Sequence, residues 1–154
     1  MIQKLDVIIR EQPFFQGLEE RHIKLIAGCA KNVRFSEGKM MFREGDPANQ
    51  FFLIREGQVA IEVMVPTRGN ITIQTAQTGD VIGWSWLVEP HRWHFGARTQ
   101  RITRALAFDG KCLRGKCERD HHFGYELFKR FTPLMVDRLE ATILQLLDLY
   151  GPNA

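Results

Sequence analysis

Short apolar runs separated by glycines fill the middle of the chain, from residue 33 to residue 108. The runs are rich in β-branched and aromatic residues, and the glycines between them suit tight turns. Short strands at regular turn spacing are typical of a β-sandwich or β-barrel. The pattern therefore predicts a β-roll over residues 33–108, with strands at residues 40–42, 51–54, 59–65, 71–75 and 103–108.

Helical periodicity precedes this β-roll. Leu5, Ile8 and Ile9 have helical spacing, and Pro13 interrupts the pattern. The apolar positions over residues 18–30 then return to a period close to that of a helix. The N-terminal helices are therefore predicted to lie mainly within residues 12–30.

A second helical region follows the β-roll. The charged segment over residues 112–120 predicts a short helical turn. Residues 120–150 predict one long helix with Asp120 as its N-cap. Pro133 lies inside this helix, and we expect it to kink the helix or to break it into two pieces.

The long helix carries an apolar seam beyond Pro133. Its positions step by four, three, four and three residues, the a/d spacing of helices that pair with one partner helix. The members of the seam are Met135, Leu139, Thr142, Leu146 and Leu149. They predict a homodimer formed through this helix. Ile143, Leu147 and Tyr150 lie beside the seam and are expected to face the β-roll.

Composition agrees with a single folded domain over residues 1–154. Hydrophobic residues make up 44% of the chain, which is enough to build a core. The net charge is only +3, and no block of five or more basic residues occurs. The sequence therefore does not indicate a nucleic-acid-binding surface.

The three cysteines, Cys29, Cys112 and Cys117, form an odd set. The N-terminus lacks the long apolar core and the small-residue cleavage site of a signal peptide, and no run approaches the ~18 apolar residues of a membrane span. We therefore expect a cytoplasmic protein with reduced cysteines and no membrane association. The spacing of Cys112, Cys117 and His121 does not match a structural zinc motif, so no metal site is predicted.

Several turn sequences resemble those of a known family. EGKMMFREGD, FFLIREGQVAI and TGDVIG are similar to turns of the cyclic-nucleotide-binding domain of the catabolite activator (Crp/Fnr) family, and the resemblance extends over about residues 12–150. It implies a mainly β fold with flanking helices: a double-stranded β-helix, or jelly roll, followed by a long C-terminal dimer helix. It also places the family's phosphate-binding cassette on residues 83–99, GWSWLVEPHRWHFGART.

The resemblance implies a ligand-binding role for particular cassette positions. Gly83 matches the cassette glycine. Trp84 stands where the family has the glutamate that accepts from the ribose hydroxyl, and Ser85 stands where it has a leucine. The position of the phosphate-binding arginine falls on Trp93, with Arg92 beside it.

These replacements change what the cassette can bind. An indole donates a hydrogen bond but cannot accept one, so Trp84 leaves the ribose hydroxyl unpaired, at a cost of about 1–3 kcal/mol. Loss of the charged partner of the phosphate costs about 2–5 kcal/mol or more. Cyclic AMP is therefore expected to bind weakly unless Arg92 compensates. On the long helix, Thr142 matches the family's base-contacting threonine.

The aromatic residues of the cassette are open to more than one interpretation. We predict a pocket lined by Trp84, Trp86, Trp93 and Phe95 that has either collapsed or accepts a flat or apolar ligand. For any single tryptophan, ordinary core packing is the favoured interpretation. Three tryptophans in one cassette favour a pocket, and a pocket already filled by the indoles is an equal interpretation. Neighbouring side chains of an extended segment point to opposite faces, so an inward Trp93 places Arg92 outside unless the preceding loop redirects it.

The expected function is that of a stand-alone regulatory or sensor domain. The chain ends four residues after Tyr150, which leaves no room for a helix-turn-helix, so DNA binding by this chain is not expected. No nucleophile–base pair or carboxylate pair indicates an enzyme. Ligand binding is expected to shift the long helix and to signal to a protein partner. Two alternatives stay open: a ligand-free assembly subunit, and a haem or metal sensor with His94 or Cys112 among its ligands.

Overall fold

Two four-stranded antiparallel sheets form the centre of the protein. The computed structural model describes residues 4–150. The strands are β1 (Ala30–Phe35), β2 (Met40–Phe42), β3 (Gln50–Glu56), β4 (Gln58–Val65), β5 (Gly69–Gln77), β6 (Val81–Ile82), β7 (Gly96–Thr99) and β8 (Thr103–Asp109). One sheet has the order β1-β8-β3-β6 and the other the order β2-β7-β4-β5. The mainly β architecture is confirmed, and its strands reach slightly beyond residues 33–108.

Helices flank the two sheets at both ends of the described chain. They are α1 (Leu5–Glu11), α2 (Glu20–Ala27), α3 (Gly110–Arg119) and α4 (His121–Tyr150), with a 3-10 turn at Pro13–Phe15. The prediction of helix up to residue 30 is wrong at its end, because Ala30 already pairs with Phe108 as the first residue of β1. Of residues 112–120, predicted as a short helical turn, all but Asp120 belong to the ten-residue helix α3.

Strand β3 separates two hydrophobic cores. Phe51 and Leu53 belong to the core beneath the helices, whereas Phe52 and Ile54 belong to the core between the two sheets. Successive side chains of a strand point to opposite faces. The continuous apolar run of β3 is therefore buried along its whole length, from Phe51 to Ile54.

Trp86 is part of the helical core and not of a ligand pocket. Its side chain is fully buried, stacks with Phe51 at 5.2 Å between ring centroids, and meets Phe131 of α4 edge-on at 5.4 Å. The prediction that Trp86 lines the pocket beside Trp84 is therefore wrong. The turn that contains Trp86 directs these two indoles to different sides of the chain.

A disulfide joins Cys29, between α2 and β1, to Cys112 in the first turn of α3. The backbone holds these segments side by side, since the Asp109 N–H donates to the Cys29 carbonyl oxygen at 2.8 Å. The prediction of three reduced cysteines is therefore wrong for this pair. Cys117 is free and half-buried, and burial raises the pKa of its thiol to about 11.

Helix α4 runs from His121 to Tyr150 without a break. Asp120 caps its N-terminus as predicted, because its Oδ1 accepts a hydrogen bond from the Phe123 N–H at 3.1 Å. The helix continues through Pro133, so the predicted division into two pieces is not present. In the stretch that the structure describes, no helix is both long enough and apolar enough to span a membrane.

The predicted seam of α4 lies on an exposed side of the helix. Its members are exposed except for the first, which is half-buried: Met135, Leu139, Thr142, Leu146 and Leu149. Ile143 and Leu147 are 45% and 58% exposed, so the expectation that they face the β-roll is wrong. The side chain of Tyr150 lies outside the described residues. The distal part of α4 reaches the sheet through Gln145, whose side-chain amide donates to the Thr72 carbonyl oxygen at 3.4 Å.

The burial of Trp86 generates a stability prediction. Trp86→Ala removes a fully buried indole from the helical core, and we expect the free energy of unfolding to fall by about 3–5 kcal/mol. Met64→Ala is the matched control, since Met64 is exposed on β4. Urea denaturation followed by circular dichroism measures both changes. A loss below about 1 kcal/mol for Trp86→Ala would contradict the assignment of this side chain to the core.

Candidate ligand-binding cassette

A tight turn after β6 begins the cassette. The Leu87 N–H donates to the Trp84 carbonyl oxygen at 2.9 Å, and the same type of bond recurs one residue later at 3.3 Å. Trp84 and Ser85 therefore border a small cavity, whereas Trp86 enters the helical core. The turn thus places the consecutive residues Ser85 and Trp86 in different environments, one at the cavity and the other in the helical core.

Gly83 leaves room for the indole of Trp93. Its φ of 96° lies in the left-handed region, which side chains with a Cβ rarely adopt. A Cβ added at Gly83 would lie 2.7 Å from Cζ3 of Trp93. The glycine therefore provides both the backbone conformation and the space against which the ring packs.

The backbone around Trp93 pairs with an upstream turn. The Trp93 N–H donates to the Asp46 carbonyl oxygen at 3.0 Å, and the Gly45 N–H donates to the Trp93 carbonyl oxygen at 2.8 Å. This pairing turns Trp93 inward and leaves Arg92 exposed. The Arg92 guanidinium donates to the Gly45 carbonyl oxygen at 3.1 Å on the outer side. The side chains thus alternate as predicted, and Arg92 does not border the cavity.

The ring of Trp93 fills the space between the cassette and β2. It stacks on Phe42 with 3.7 Å between ring centroids and 14° between ring planes. The cavity that remains measures about 10 Å³. This volume is near the minimum for a single water molecule and far below the roughly 300–1,000 Å³ of small-molecule sites. The ring of Trp93 thus leaves almost no free space in the cassette.

A positive charge enters the cassette from α4. Arg138 is only 7% exposed and borders the cavity. Its guanidinium carbon lies 5.3 Å from the centroid of the Trp84 ring and 5.4 Å from that of Phe95. Such cation–π contacts contribute about 2 kcal/mol or more when they are desolvated. Within residues 4–150, the buried Nε of Arg138 has no hydrogen-bond partner.

Burial without a hydrogen-bonded anion makes Arg138 costly for the fold. Desolvation lowers the pKa of Arg138 to about 10, and the charge of Asp137 opposes this shift. The pKa is thus lower in the folded than in the unfolded state. The cost is fully present below about pH 10, where the side chain is charged in both states, and it decreases as the pH rises further. An anion in the cavity would offset the cost through charge-assisted hydrogen bonds.

The polar edge of the cavity consists of Ser85 and His94. The Ser85 Oγ lies 3.0 Å from the His94 Nδ1, and Ser85 is buried while His94 is exposed. Ser85 is therefore a second hydrogen-bonding group beside Arg138. His94 and Cys112, the two residues considered as haem ligands, are already engaged, His94 with Ser85 and Cys112 in the disulfide.

The structure brings together only part of the predicted cassette. The predicted residues that border the cavity are Gly83, Trp84, Ser85, Trp93 and Phe95. Trp86 lies in the helical core, and Arg92 lies outside. Thr142 is exposed, and its hydroxyl donates to the Arg138 carbonyl oxygen at 2.9 Å.

Sequence reasoning missed Arg138, although it lies one helical turn before Thr142, on a helix that the resemblance had already linked to the ligand.

Comparison with known proteins identifies the family and confirms the fold of this chain. The sequence model of the family described as "Cyclic nucleotide-binding domain" matches residues 32–120. The crystal structure of a cyclic nucleotide-binding domain from Methylobacillus flagellatus has a TM-score of 0.71 at 16% identity, over 98% of this chain and 83% of that chain. At such low identity the likeness shows the fold alone, and it confirms the predicted jelly roll.

Two curated relatives have a longer chain. The CRP-like cAMP-activated global transcriptional regulator of Mycobacterium tuberculosis is 26% identical over 110 residues, which are 71% of this chain and 49% of the relative. Cyclic nucleotide-gated ion channel 18 of Arabidopsis thaliana is 28% identical over 104 residues, which are 65% of this chain and 15% of the relative. The chain thus spans about half of the first protein and a smaller part of the second.

The environment of Arg138 generates a second stability prediction. Arg138→Met removes a buried charge and keeps a side chain of similar length. We expect the free energy of unfolding at pH 7 to stay unchanged or to rise by about 1–4 kcal/mol, because desolvation is no longer required. Arg130→Met is the control and should lower stability, since Arg130 donates to the Glu126 carboxylate at 2.7 Å. A marked loss of stability in Arg138→Met would contradict the unpaired state of this charge.

Proposed function

The chain belongs to the cyclic nucleotide-binding domain family, and from this premise we propose that it is a regulatory sensor domain in which Arg138 couples the cassette to α4. One observation carries the proposal. A guanidinium from α4 contacts both the Trp84 ring and the Phe95 ring at the cassette cavity. A ligand that enters the cassette must therefore displace or pair with a group that belongs to the long helix.

The ligand that fits this site is anionic and requires the pocket to open. Arg138 is a buried cation, and the Ser85 hydroxyl lies at the edge of the same cavity. An anion would therefore find both charge and hydrogen-bonding groups. With about 10 Å³ of free space, however, entry requires movement of Trp93 or Arg138. Movement of Arg138 would be transmitted to α4, and a protein partner would detect the change.

Cyclic mononucleotides are proposed to be weak ligands of this cassette. Trp84 cannot accept a hydrogen bond from a ribose hydroxyl, and Arg92 points away from the cavity. Opening the stacked pair of Trp93 and Phe42 adds a further cost. These losses support regulation by another anion, or by a cyclic nucleotide at high concentration, and not by tight binding of cyclic AMP.

Nucleotide titration tests this proposal. We expect cyclic AMP and cyclic GMP to bind with dissociation constants of about 1 mM or weaker, because the unpaired ribose hydroxyl and the absent cassette arginine together cost several kcal/mol. Isothermal titration calorimetry and tryptophan fluorescence measure the binding. Arg138→Met should abolish the residual affinity.

Arg92→Ala is the matched control for this titration. Arg92 carries the same charge and lies next to Trp93, but its guanidinium bonds to the Gly45 carbonyl oxygen on the outside. Its removal should leave nucleotide binding unchanged. Tight binding of cyclic AMP that disappears in Arg92→Ala would refute the proposed role of Arg138.

We also propose a homodimer through α4. The support is the wide apolar surface beyond Arg138, where Leu139, Leu146 and Leu147 are 60%, 52% and 58% exposed. Isolated exposed leucines are common, but a continuous row along one helix is typical of a partner helix. Pairing of two α4 helices would cover these exposed leucines and connect the two cassettes through the helix pair.

Light scattering coupled to size-exclusion chromatography tests the dimer. We expect twice the 17.8 kDa mass of one chain for the wild-type protein and a monomer for Leu146→Glu, because a carboxylate in the apolar helix pair would be buried without a partner. Met64→Glu is the control, since Met64 is also exposed but lies on β4. A monomeric wild-type protein, or a dimer that survives Leu146→Glu, would contradict this arrangement.

A ligand-free assembly subunit is the second candidate function. The closed cavity favours it, since Trp93 and Arg138 already occupy the space where a ligand would bind. In that case the titrations should show neither heat nor a change in tryptophan fluorescence with cyclic mononucleotides or cyclic dinucleotides, while the α4 dimer persists.

A further inference from the structure

A second cluster of ligating side chains lies at the joint between the N-terminal helices and α4. His22 belongs to α2, Glu19 immediately precedes α2, and His122 lies in the first turn of α4. One donor atom of each residue lies within 4.8 Å of the donor atoms of the other two. The cluster is separate from the cassette, and it contains none of the cysteines considered in the sequence.

His22 is the unusual member of this cluster. Its side chain is fully buried, and neither ring nitrogen has a hydrogen-bond partner within residues 4–150. The ring packs against His122 at 5.1 Å and Phe123 at 5.2 Å between centroids. A buried polar group without a partner costs about 1–3 kcal/mol. A metal ion bound to one ring nitrogen would satisfy it, since neutral imidazole is a common metal ligand.

The spacing of the donor atoms suits a metal ion better than a direct hydrogen bond. The Nδ1 of His122 lies 4.0 Å from the Oε1 of Glu19, which exceeds hydrogen-bond distance. Zinc binds imidazole nitrogen at about 2.0–2.1 Å and carboxylate oxygen at about 2.0–2.2 Å. One tetrahedral ion bound to both atoms would hold them about 3.4 Å apart, slightly closer than they lie here. Small rotations of the exposed Glu19 and His122 side chains would complete the set with His22.

The surroundings of His122 resemble the outer shell of a metal site. While its Nδ1 faces Glu19, its Nε2 lies 3.7 Å from the Oε1 of Glu126. Ligating histidines commonly direct the second ring nitrogen toward a carboxylate, which fixes the orientation of the ring. Glu126 is itself held by Arg130 at 2.7 Å. Arg21 lies near Glu19 at 3.6 Å and also pairs with Asp120, so carboxylates balance the positive charge nearby.

We propose that His22, His122 and Glu19 form a binding site for a divalent transition-metal ion of the zinc class, with Glu126 as the outer partner of His122. Two imidazoles and one carboxylate are ligands that zinc prefers, and water would fill the fourth position. The site connects α2 to the first turn of α4. Bound metal would therefore stabilise the joint from which the long helix projects.

Zinc titration of the chelator-treated full chain tests this site. Isothermal titration calorimetry should show one saturable zinc ion per chain, and zinc should raise the melting temperature. Loss of an outer carboxylate typically weakens metal binding by about 10–100-fold, and we expect at least that loss for His122→Ala and for Glu19→Gln. Both residues are exposed, so the folded protein should persist, which circular dichroism checks.

Two matched controls make the test specific. His121→Ala removes an exposed imidazole next to His122 that is not part of the cluster, and Cys117→Ser removes the free thiol. Both variants should bind zinc as the wild-type protein does. The proposal fails if the wild-type protein shows no saturable binding, if His122→Ala binds normally, or if either control loses as much affinity. None of these outcomes depends on the cassette.

Discussion

A charged guanidinium packed against two aromatic rings connects the long helix α4 to the cassette. Arg138 belongs to α4, whereas Trp84 and Phe95 belong to the cassette. The contact gains cation–π energy but requires desolvation of a full charge. Because no described residue forms a hydrogen bond with the buried Nε, the arrangement is poorly suited to stability alone. A buried charge of this kind in a cleft marks a candidate functional site.

The closure of the cassette depends on one glycine and two stacked rings. Gly83 allows the Trp93 ring to lie against the backbone, and the ring then stacks on Phe42 of β2. The remaining volume is too small for any nucleotide. Gly83, Trp93 and Phe42 thus fill the space of the cassette within an intact jelly-roll fold. Opening would expose the face of an indole and of a phenylalanine and would lose their stacking contact.

The sequence predicts the local elements better than it predicts contacts between distant ones. The strands and the alternation of side chains around Trp93 follow from short-range sequence patterns. The β-strands and the exposure of Arg92 could therefore be predicted from the sequence. Trp86 was wrongly predicted to line the pocket, because a single turn directs its side chain away from that of Trp84. The periodicity of the sequence does not indicate this turn. Arg138 is one arginine on a thirty-residue helix, and its burial depends on where that helix meets the cassette. Likewise, Cys29 and Cys112 lie 83 residues apart, and nothing local signals their pairing.

Helix α4 combines a half that is buried in the helical core with a half that is largely exposed. Its first part is anchored by the Asp120 cap and by Phe123, Leu127 and Phe131, which are all fully buried in the helical core. Beyond Arg138, its apolar side chains are largely exposed. Pro133 lies between the two halves, and a proline inside a helix removes one backbone hydrogen bond and makes bending easier there. Arg138 therefore contacts the cassette just beyond Pro133, the position at which α4 bends most easily. In the proposed sensor, a shift of this guanidinium would therefore move the exposed half of α4 while the buried half stays in the core.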